Sequence, residues 1–494
     1  MKNYQRLKNN FKRISHLQYA QRIMMWDESV MMPEGAGVSR AHAVGTLNRI
    51  MQKMLISKSN KSLLDLAKHE TNLDTWDAAN LKWMEKKYLS ASCIPLSLVE
   101  QITKTTMACE QAWRKMRAQN NWQEFYPFLD KTFQLTKEIA DRKSQVLQLN
   151  PYDALLDEYA PGFNQKSIDV IFSGLKKTIP SLLPQIIEKQ KANKINKPIG
   201  PFAIEKQKQL GLRVMKALQF DFNHGRLDVS HHPFCGGESD DIRITTRYNE
   251  NEFMSSLFGI CHETGHALYE QGLPRDWITQ PVGKVDSMAM HESQSLLIEM
   301  ELCRSKEFFH YLLPLIKEFM GHQEAFSVDN LYQDLITVEP SFIRVDADEV
   351  TYPLHIILRY EIEKALLNGD LPLADLPSSW NELMMQYLGI ATHTDYKNGV
   401  MQDVHWPAGA FGYFPAYTLG RLIAAQLFAT FEKSNSGFFA EVKEGNFLTL
   451  NRWLKKNVYD YASSITTDDL LMKVTGESLN SDHFVDRIKK RYLT

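Results

Sequence analysis

The sequence predicts a mainly α-helical protein, a large helical body with one small β-sheet near its centre. Three observations carry that prediction. Gly and Pro number 24 and 19 of 494 residues, fewer chain breakers than a soluble domain usually carries. Apolar residues recur at helical spacing through most of the chain. One segment alternates strictly, with the period of a strand.

Tyr4, Leu7, Phe11 and Ile14 lie at helical spacing, and the pattern runs on into Trp26. This predicts a first helix, although its basic, acid-free start has the look of a transit peptide. To about residue 220 further amphipathic helices follow, punctuated at Met32-Pro33, Ile94-Pro95, Asn150-Pro151 and Pro161-Gly162. Residues 191–201, rich in Lys, Asn and Pro, are expected to form a surface loop. Residues 223–240, with Pro233 and Gly236-Gly237, are expected to be irregular. Then Asp241, Arg243, Thr245 and Arg247 fall on one face of a strand, and Ile242, Ile244, Thr246 and Tyr248 on the other. From Glu252 the helical pattern returns and stops at Gly272-Leu273-Pro274. The second half is helical again, broken by an aromatic, Gly-rich stretch over 398–420. One domain over 1–494 is expected, with a helical part to about 220 and the chemistry-bearing motifs from about 221 onward.

Charge narrows the partners. Lys and Arg number 57 against 59 Asp and Glu, a net charge of -2, which leaves no basic excess for a nucleic-acid backbone. No apolar run reaches the ~20 residues that span a bilayer. The five cysteines form no C-x-x-C pair and read as reduced thiols of a cytoplasmic protein.

The most informative residues are His262-Glu263-Thr264-Gly265-His266. Histidines at i and i+4 point the same way on a helix and can share one ion, while the adjacent glutamate can act on a ligand of that ion. Zinc lowers the pKa of bound water to about 7, and a neighbouring carboxylate can take the proton. Gly265 is expected to leave room beside the ion. A catalytic site needs a third protein ligand. Candidates downstream are Glu270, Asp276, Asp286, His291, Glu292, Glu299 and Glu301. Glu270 lies one turn beyond His266, where bending back is difficult. Residues 287–299 read as one helix with Glu292 and Glu299 on the same side. Spacing favours Glu292 over Glu299, which could instead support a ligand histidine.

Six signatures in order resemble those of the carboxypeptidase Taq family of metallocarboxypeptidases: His232-Pro233-Phe234; Asp241, Arg243 and Thr245; His262-Glu263 with His266; His291-Glu292-Ser293-Gln294; Ile343-Arg344 with Ala347-Asp348; and Gly399, Gln402-Asp403 and His405-Trp406. Met25-Trp26-Asp27 with Met32-Pro33 resembles the family's N-terminal region. The resemblance implies His262, His266 and Glu292 as metal ligands and Glu263 as general base. It also implies a large helical, groove-containing zinc-peptidase fold of the neurolysin-like kind with a small sheet beside the active site, and a homodimer. The expected cofactor is one divalent metal per chain, zinc first, with cobalt or manganese also compatible with two His and one Glu. An acid four positions after the ligand glutamate, as in thermolysin, is absent; Leu296 stands there, so the group that orients the histidines is open.

The remaining roles follow from what release of a C-terminal residue demands. The strand face of Asp241, Arg243 and Thr245 is expected to be a sheet edge on which an extended peptide pairs. A free carboxylate suits the planar fork of arginine. Arg344 is the choice, oriented by the acidic run Asp346, Asp348 and Glu349 or paired with Asp348, and Arg359 is weaker. His405 with Tyr413, or else Tyr417, is expected to stabilise the oxyanion. Gln402 and Asp403 join the substrate-binding candidates. Phe234, Trp277 and Trp406 are read as pocket walls or core. The expected activity is a metallocarboxypeptidase acting on peptides with a free C-terminal carboxylate; an endo-oligopeptidase on the same scaffold is the alternative.

Overall fold

The structure is a computed structural model that describes residues 2–285 and 287–494. Its first helix, Lys2–Val30, buries Tyr4, Leu7, Phe11, Ile14 and Trp26 along one stripe and ends before Pro33. Later helices stop where the punctuation predicts. Ser92 closes one helix before Ile94-Pro95 and Leu96 opens the next. Asn150 caps the short helix Pro151–Leu156 by accepting from the Asp153 N–H at 2.8 Å. The chain is open between Gln190 and Ile204.

The stretch over 223–240 departs from expectation. It holds two strands, β1 (Gly225–Val229) and β2 (Phe234–Glu238), which flank β3 (Asp241–Thr246). The order is β1-β3-β2, with β1 parallel and β2 antiparallel to β3. β3 is therefore central and has no free edge. Its Ile242 and Ile244 pack with Met215, Phe220, Leu227 and Ile260, which seats the sheet on the helices Ile204–Ala217 and Met254–Gly272. Glycines in β1 and β2 hid these strands, because their composition reads as turn.

Two further differences concern helix boundaries. Residues 287–299 are not one regular helix: an α-helix, Met288–Leu296, passes into a π-helix, Leu297–Cys303. The Gly-rich stretch is irregular only as far as Phe414, since a helix runs Pro415–Ser434. At Gly265 the expected room is filled by backbone. A Cβ there would stand 2.6 Å from the Ser295 Cα and 2.7 Å from the Gln294 carbonyl oxygen, so the glycine lets Met254–Gly272 press against Met288–Leu296.

The irregular stretch is tied down by Glu363 of the helix Tyr352–Asn368. Its buried carboxylate accepts from the Trp406 Nε1–H at 2.9 Å, the Gly412 N–H at 3.0 Å and the Tyr152 hydroxyl at 3.1 Å. Trp406 is thus core. Burial, outweighing these donors, raises the Glu363 carboxyl from its usual 4.5 to about 7. A raised carboxyl binds its proton more tightly when folded, so its contribution to stability is complete below pH 4.5 and lost as pH rises through about 7. Glu363→Gln removes that dependence. In urea titrations, the stability of the native chain minus that of the variant should fall across this window, by at most ~1.4 kcal/mol per pH unit. A flat difference would show that Glu363 does not titrate there.

Candidate metal centre and substrate groove

Met254–Gly272 starts where Glu252 accepts from the N–H groups of Met254 and Ser255, at 2.6 and 2.9 Å, and carries His262 and His266 one turn apart. Ser287 caps Met288–Leu296 by accepting from the Met290 N–H, and this helix brings Glu292 across. Ligand atoms of His262, His266 and Glu292 lie within 4.8 Å of one another. The two Glu292 oxygens stand 3.8 Å from the His262 Nε2 and 3.5 Å from the His266 Nε2. Ligand atoms ~2.0–2.2 Å from one ion at tetrahedral angles would be spaced by roughly 3.3–3.6 Å, so the three residues fit a divalent cation.

Glu299 is not part of that trio. Its Oε2 lies 2.9 Å from the His262 Nδ1, and its Oε1 accepts from the Arg304 Nη2–H at 2.8 Å. A carboxylate accepts only, so Nδ1 carries the proton and the ring turns Nε2 toward Glu292. Glu299 thus orients one histidine, the position left open by Leu296. The His266 Nδ1 has no partner among the described residues. Instead that ring stacks on His291 at 4.2 Å, and the His291 Nε2 contacts Glu270 at 3.2 Å. Glu301 turns away to Arg421 and Arg487, Asp276 sits in the 3-10 turn Arg275–Trp277, and Asp286 lies outside the described residues.

The electrostatics suit a cation. Burial opposes charge on His262, yet Glu292, Glu299 and Glu263 outweigh it and push its pKa up to about 10. Burial and the nearby His291 bring His266 down to about 3. Burial would raise Glu292, but His262 and His266 hold it down at about 2. Glu263 is raised to about 7 by burial, with Glu292 adding to the effect against His262. A pocket that holds a proton on His262 this firmly also favours a metal ion in its place.

Two spaces flank this centre. A groove of about 830 Å³ runs beside Phe234 and Gly237 of β2, under Trp26, to Glu270 and His291. A pocket of about 220 Å³ lies on the other side, between His262 and Glu292 and the side chains of Tyr352, Tyr417 and Arg421.

The sequence-predicted substrate residues are largely engaged with one another. Asp241 holds Arg243 through Oδ2 and Nη2 at 2.7 Å and accepts from the Tyr19 hydroxyl at 2.8 Å, while Arg243 lies over Trp26 at 4.6 Å. Thr245 is fully buried and bonds Ser230 and the Phe234 N–H. The expected pairing edge on β3 is therefore wrong, because β1 and β2 cover both sides. The edge beside the groove that pairs with no other strand belongs to β2, and Arg22 donates to its Gly237 carbonyl at 3.1 Å. Gln402 bonds the Arg344 N–H and the Phe342 and Asn398 carbonyls, which makes it a backbone strut. The partner of Arg344 is neither Asp348, which binds Thr351, nor the rest of the acidic run. It is Asp403, which accepts from the Arg344 Nη2–H at 2.8 Å and the Arg359 Nε–H at 2.7 Å. Arg344 also donates from Nη1 to the Tyr352 hydroxyl at 2.7 Å. The Nε2 of His405 faces the Tyr417 hydroxyl at 3.2 Å, while the Tyr413 ring stands 5.3 Å from the imidazole. Trp277 stacks on Trp76 at 5.4 Å, away from the groove. Tyr352 and Arg421 were not anticipated; neither stands in a motif whose chemistry would single it out.

The sequence pattern described as carboxypeptidase Taq (M32) metallopeptidase matches residues 6–492. The chain belongs to this family. Carboxypeptidase 1 of Bacillus subtilis is 35% identical over 486 residues, 97% of this chain and 96% of that one. Thermostable carboxypeptidase 1 of Thermus thermophilus is 34% identical over 504 residues, 99% of this chain and 98% of that one. Among solved structures, metallocarboxypeptidase 1 of Trypanosoma cruzi superposes with a TM-score of 0.98 at 37% identity, covering 100% of both chains. The protein is a metal-dependent carboxypeptidase, a hydrolase of peptides, and its mainly α fold with a small sheet is that of its relatives.

The helix Pro415–Ser434 backs the centre at Gly420, where a Cβ would stand 2.9 Å from both the Ala289 carbonyl oxygen and the Glu292 Cβ. Gly420→Ala should displace Glu292 and weaken metal binding by about 10-fold or more, on the scale of a lost supporting contact. Competition with a chromophoric chelator measures this. Native affinity in the variant would mean that Glu292 is not held from this side.

Proposed function

We propose that the chain removes C-terminal amino acids through a single centre of His262, His266 and Glu292, with Glu263 as general base and Arg344 as the anchor for the substrate carboxylate. The observation that carries this reading is the convergence of three ligand atoms beside a buried glutamate. A divalent cation held there supplies a Lewis acid that polarises the scissile carbonyl and acidifies water; zinc is the ion proposed. Glu263 takes the proton of the attacking water and delivers it to the departing amine. Tyr417, whose pKa burial keeps well above 10, stays protonated and donates to the carbonyl oxygen as negative charge develops. His405, brought down to about 4 by burial, is neutral and faces the Tyr417 hydroxyl. Tyr413, raised to about 12 by burial, is the second donor.

Arg344 has five N–H donors, of which Asp403 and Tyr352 engage three. One N–H remains on each terminal nitrogen, enough for a two-point contact with a carboxylate. The peptide upstream of the cut is assigned to the groove along β2, with Asp241, Arg243 and Thr245 supporting that strand from behind. Asp403 and Gln402 serve substrate binding indirectly, by fixing Arg344. One catalytic unit over 1–494 is proposed, with a main apolar cluster reaching from Cys109 to Tyr492 and a second, smaller one, from Tyr4 to Met84, in the N-terminal helices. The five free cysteines accord with a cytoplasmic location, and no helix among the described residues is long and apolar enough to cross a membrane. A homodimer is carried by the family resemblance alone.

N-blocked peptides with free and amidated C-termini, incubated with and without a chelator and analysed by mass, test the reading. Stepwise loss of single C-terminal residues, abolished by chelation and by amidation, is the expected result. Internal cleavage of the amidated peptides would favour an endopeptidase. Glu263→Gln should keep its metal and lose about 10²–10⁴-fold in kcat. Arg344→Ala should raise KM for free-carboxylate substrates by about 10-fold or more, and unchanged kinetics would reassign the anchor.

A further inference from the structure

We infer that the helix Asp482–Tyr492 positions the metal centre, with Arg487 and Arg491 as positioning residues that hold the π-helix Leu297–Cys303 and, through it, Glu299 on His262. The inference rests on the metal-site reading above and deepens it.

Two carboxylates with almost no solvent contact, Glu301 and Glu349, face three guanidinium groups. Glu301 pairs with the Arg421 Nη1 at 2.7 Å and the Arg487 Nε at 2.6 Å. Glu349 pairs with Arg421 and Arg491 and accepts from the Tyr492 hydroxyl at 3.1 Å. Arg491 also donates to the Met300 carbonyl, inside the π-helix. The helix Asp482–Tyr492 thus grips the π-helix twice, at the Glu301 side chain and at the Met300 backbone.

Both grips lie within two residues of Glu299. π-helices are rare and occur mostly as single turns inside α-helices, frequently at functional sites. If the segment relaxed toward α geometry, Glu299 would turn and draw away from the His262 Nδ1. Charge bookkeeping explains why the grip is firm. Glu301 and Glu349 form ion pairs with Arg421, Arg487 and Arg491, and Arg487 reaches on to Glu432 nearer the surface. Removing Arg487 or Arg491 leaves a carboxylate with one cationic partner fewer in a site that excludes water. The network must then rearrange, and the π-helix is the part of it that reaches the metal centre.

The test uses the full chain with Arg487→Met and Arg491→Met, and with Arg491→Lys as a variant that keeps the charge but loses the fork. Cobalt(II) is the probe. Its dissociation constant is read by chelator competition well below each unfolding midpoint, and its visible absorption reports the ligand geometry. The expected result is a 10- to 100-fold weaker dissociation constant with an altered visible band, not restored by lysine. Combined with Glu299→Ala, the loss should not add, because both changes act through one contact. Affinity within twofold of native with an unchanged band, or full additivity with Glu299→Ala, would overturn the inference. His262→Ala separates the two readings. If that variant binds cobalt like the native chain, the metal-site reading fails; if it loses cobalt while the arginine variants do not, only the positioning role fails.

Discussion

One imidazole held between two carboxylates on its opposite nitrogens is the constraint on which the centre depends. Glu292 faces the Nε2 of His262 and Glu299 holds its Nδ1. Both acids come from one continuous stretch, seven positions apart. In a regular α-helix they would share a face but stand ~10 Å apart along the axis, too far to close on one small ring. The change to π geometry after Leu296 widens the turn and shortens the rise. Glu299 is drawn back toward His262, and Glu301 is sent to the opposite side. Irregular winding here brings the proposed ligand, its supporting carboxylate and a structural anchor onto a single segment.

That segment is also compressed. Gly265 on one neighbouring helix and Gly420 on another leave Met288–Leu296 between two surfaces without Cβ atoms at the points of contact. Close packing on both sides removes the freedom of Glu292 to swing away from the histidines. It also excludes water, which strengthens each electrostatic contact and raises the penalty for any that is left unpaired. The perturbed acidities of His262, Glu263 and Glu292 have this common origin: burial sets the scale, and the arrangement of neighbours sets each direction.

The parts of this architecture that follow local rules were legible in the sequence. The period of apolar residues marked the first helix and the helix of His262, and Gly or Pro marked their ends. The spacing of His262 and His266 marked a candidate metal site because i and i+4 geometry is local. Glu292 was favoured by spacing and selected by family resemblance. What could not be read depends on contacts between distant segments. β1 and β2 look like turns because their glycines answer to packing, and that hid the central position of β3. Asp403 as the partner of Arg344 lies far along the chain, and the nearer acids Asp346, Asp348 and Glu349 drew attention instead. The π-helix has no compositional mark, so spacing alone leaves Glu299 between two roles, and only its contact with Nδ1 distinguishes them.

The proposed anchor extends the same electrostatic logic to the substrate. Arg344 and Arg359 share one carboxylate, that of Asp403, so this corner of the site has a surplus of positive charge. The aromatic faces of Tyr352, Tyr417 and Trp380 lie against the two guanidinium groups and stabilise the surplus without neutralising it. A peptide that ends in a free carboxylate would complete the balance, whereas an amide or a continuing chain would leave it incomplete. On the other side, Glu263, Glu292 and Glu299 surround His262, a setting that favours a cation. In the proposed reading, a substrate bound between these regions would have its negative end drawn to the arginines and its carbonyl turned toward the candidate metal centre. With Arg344 as the proposed anchor, this opposition of charge is a physical reason for a scaffold with an open groove to act as a carboxypeptidase.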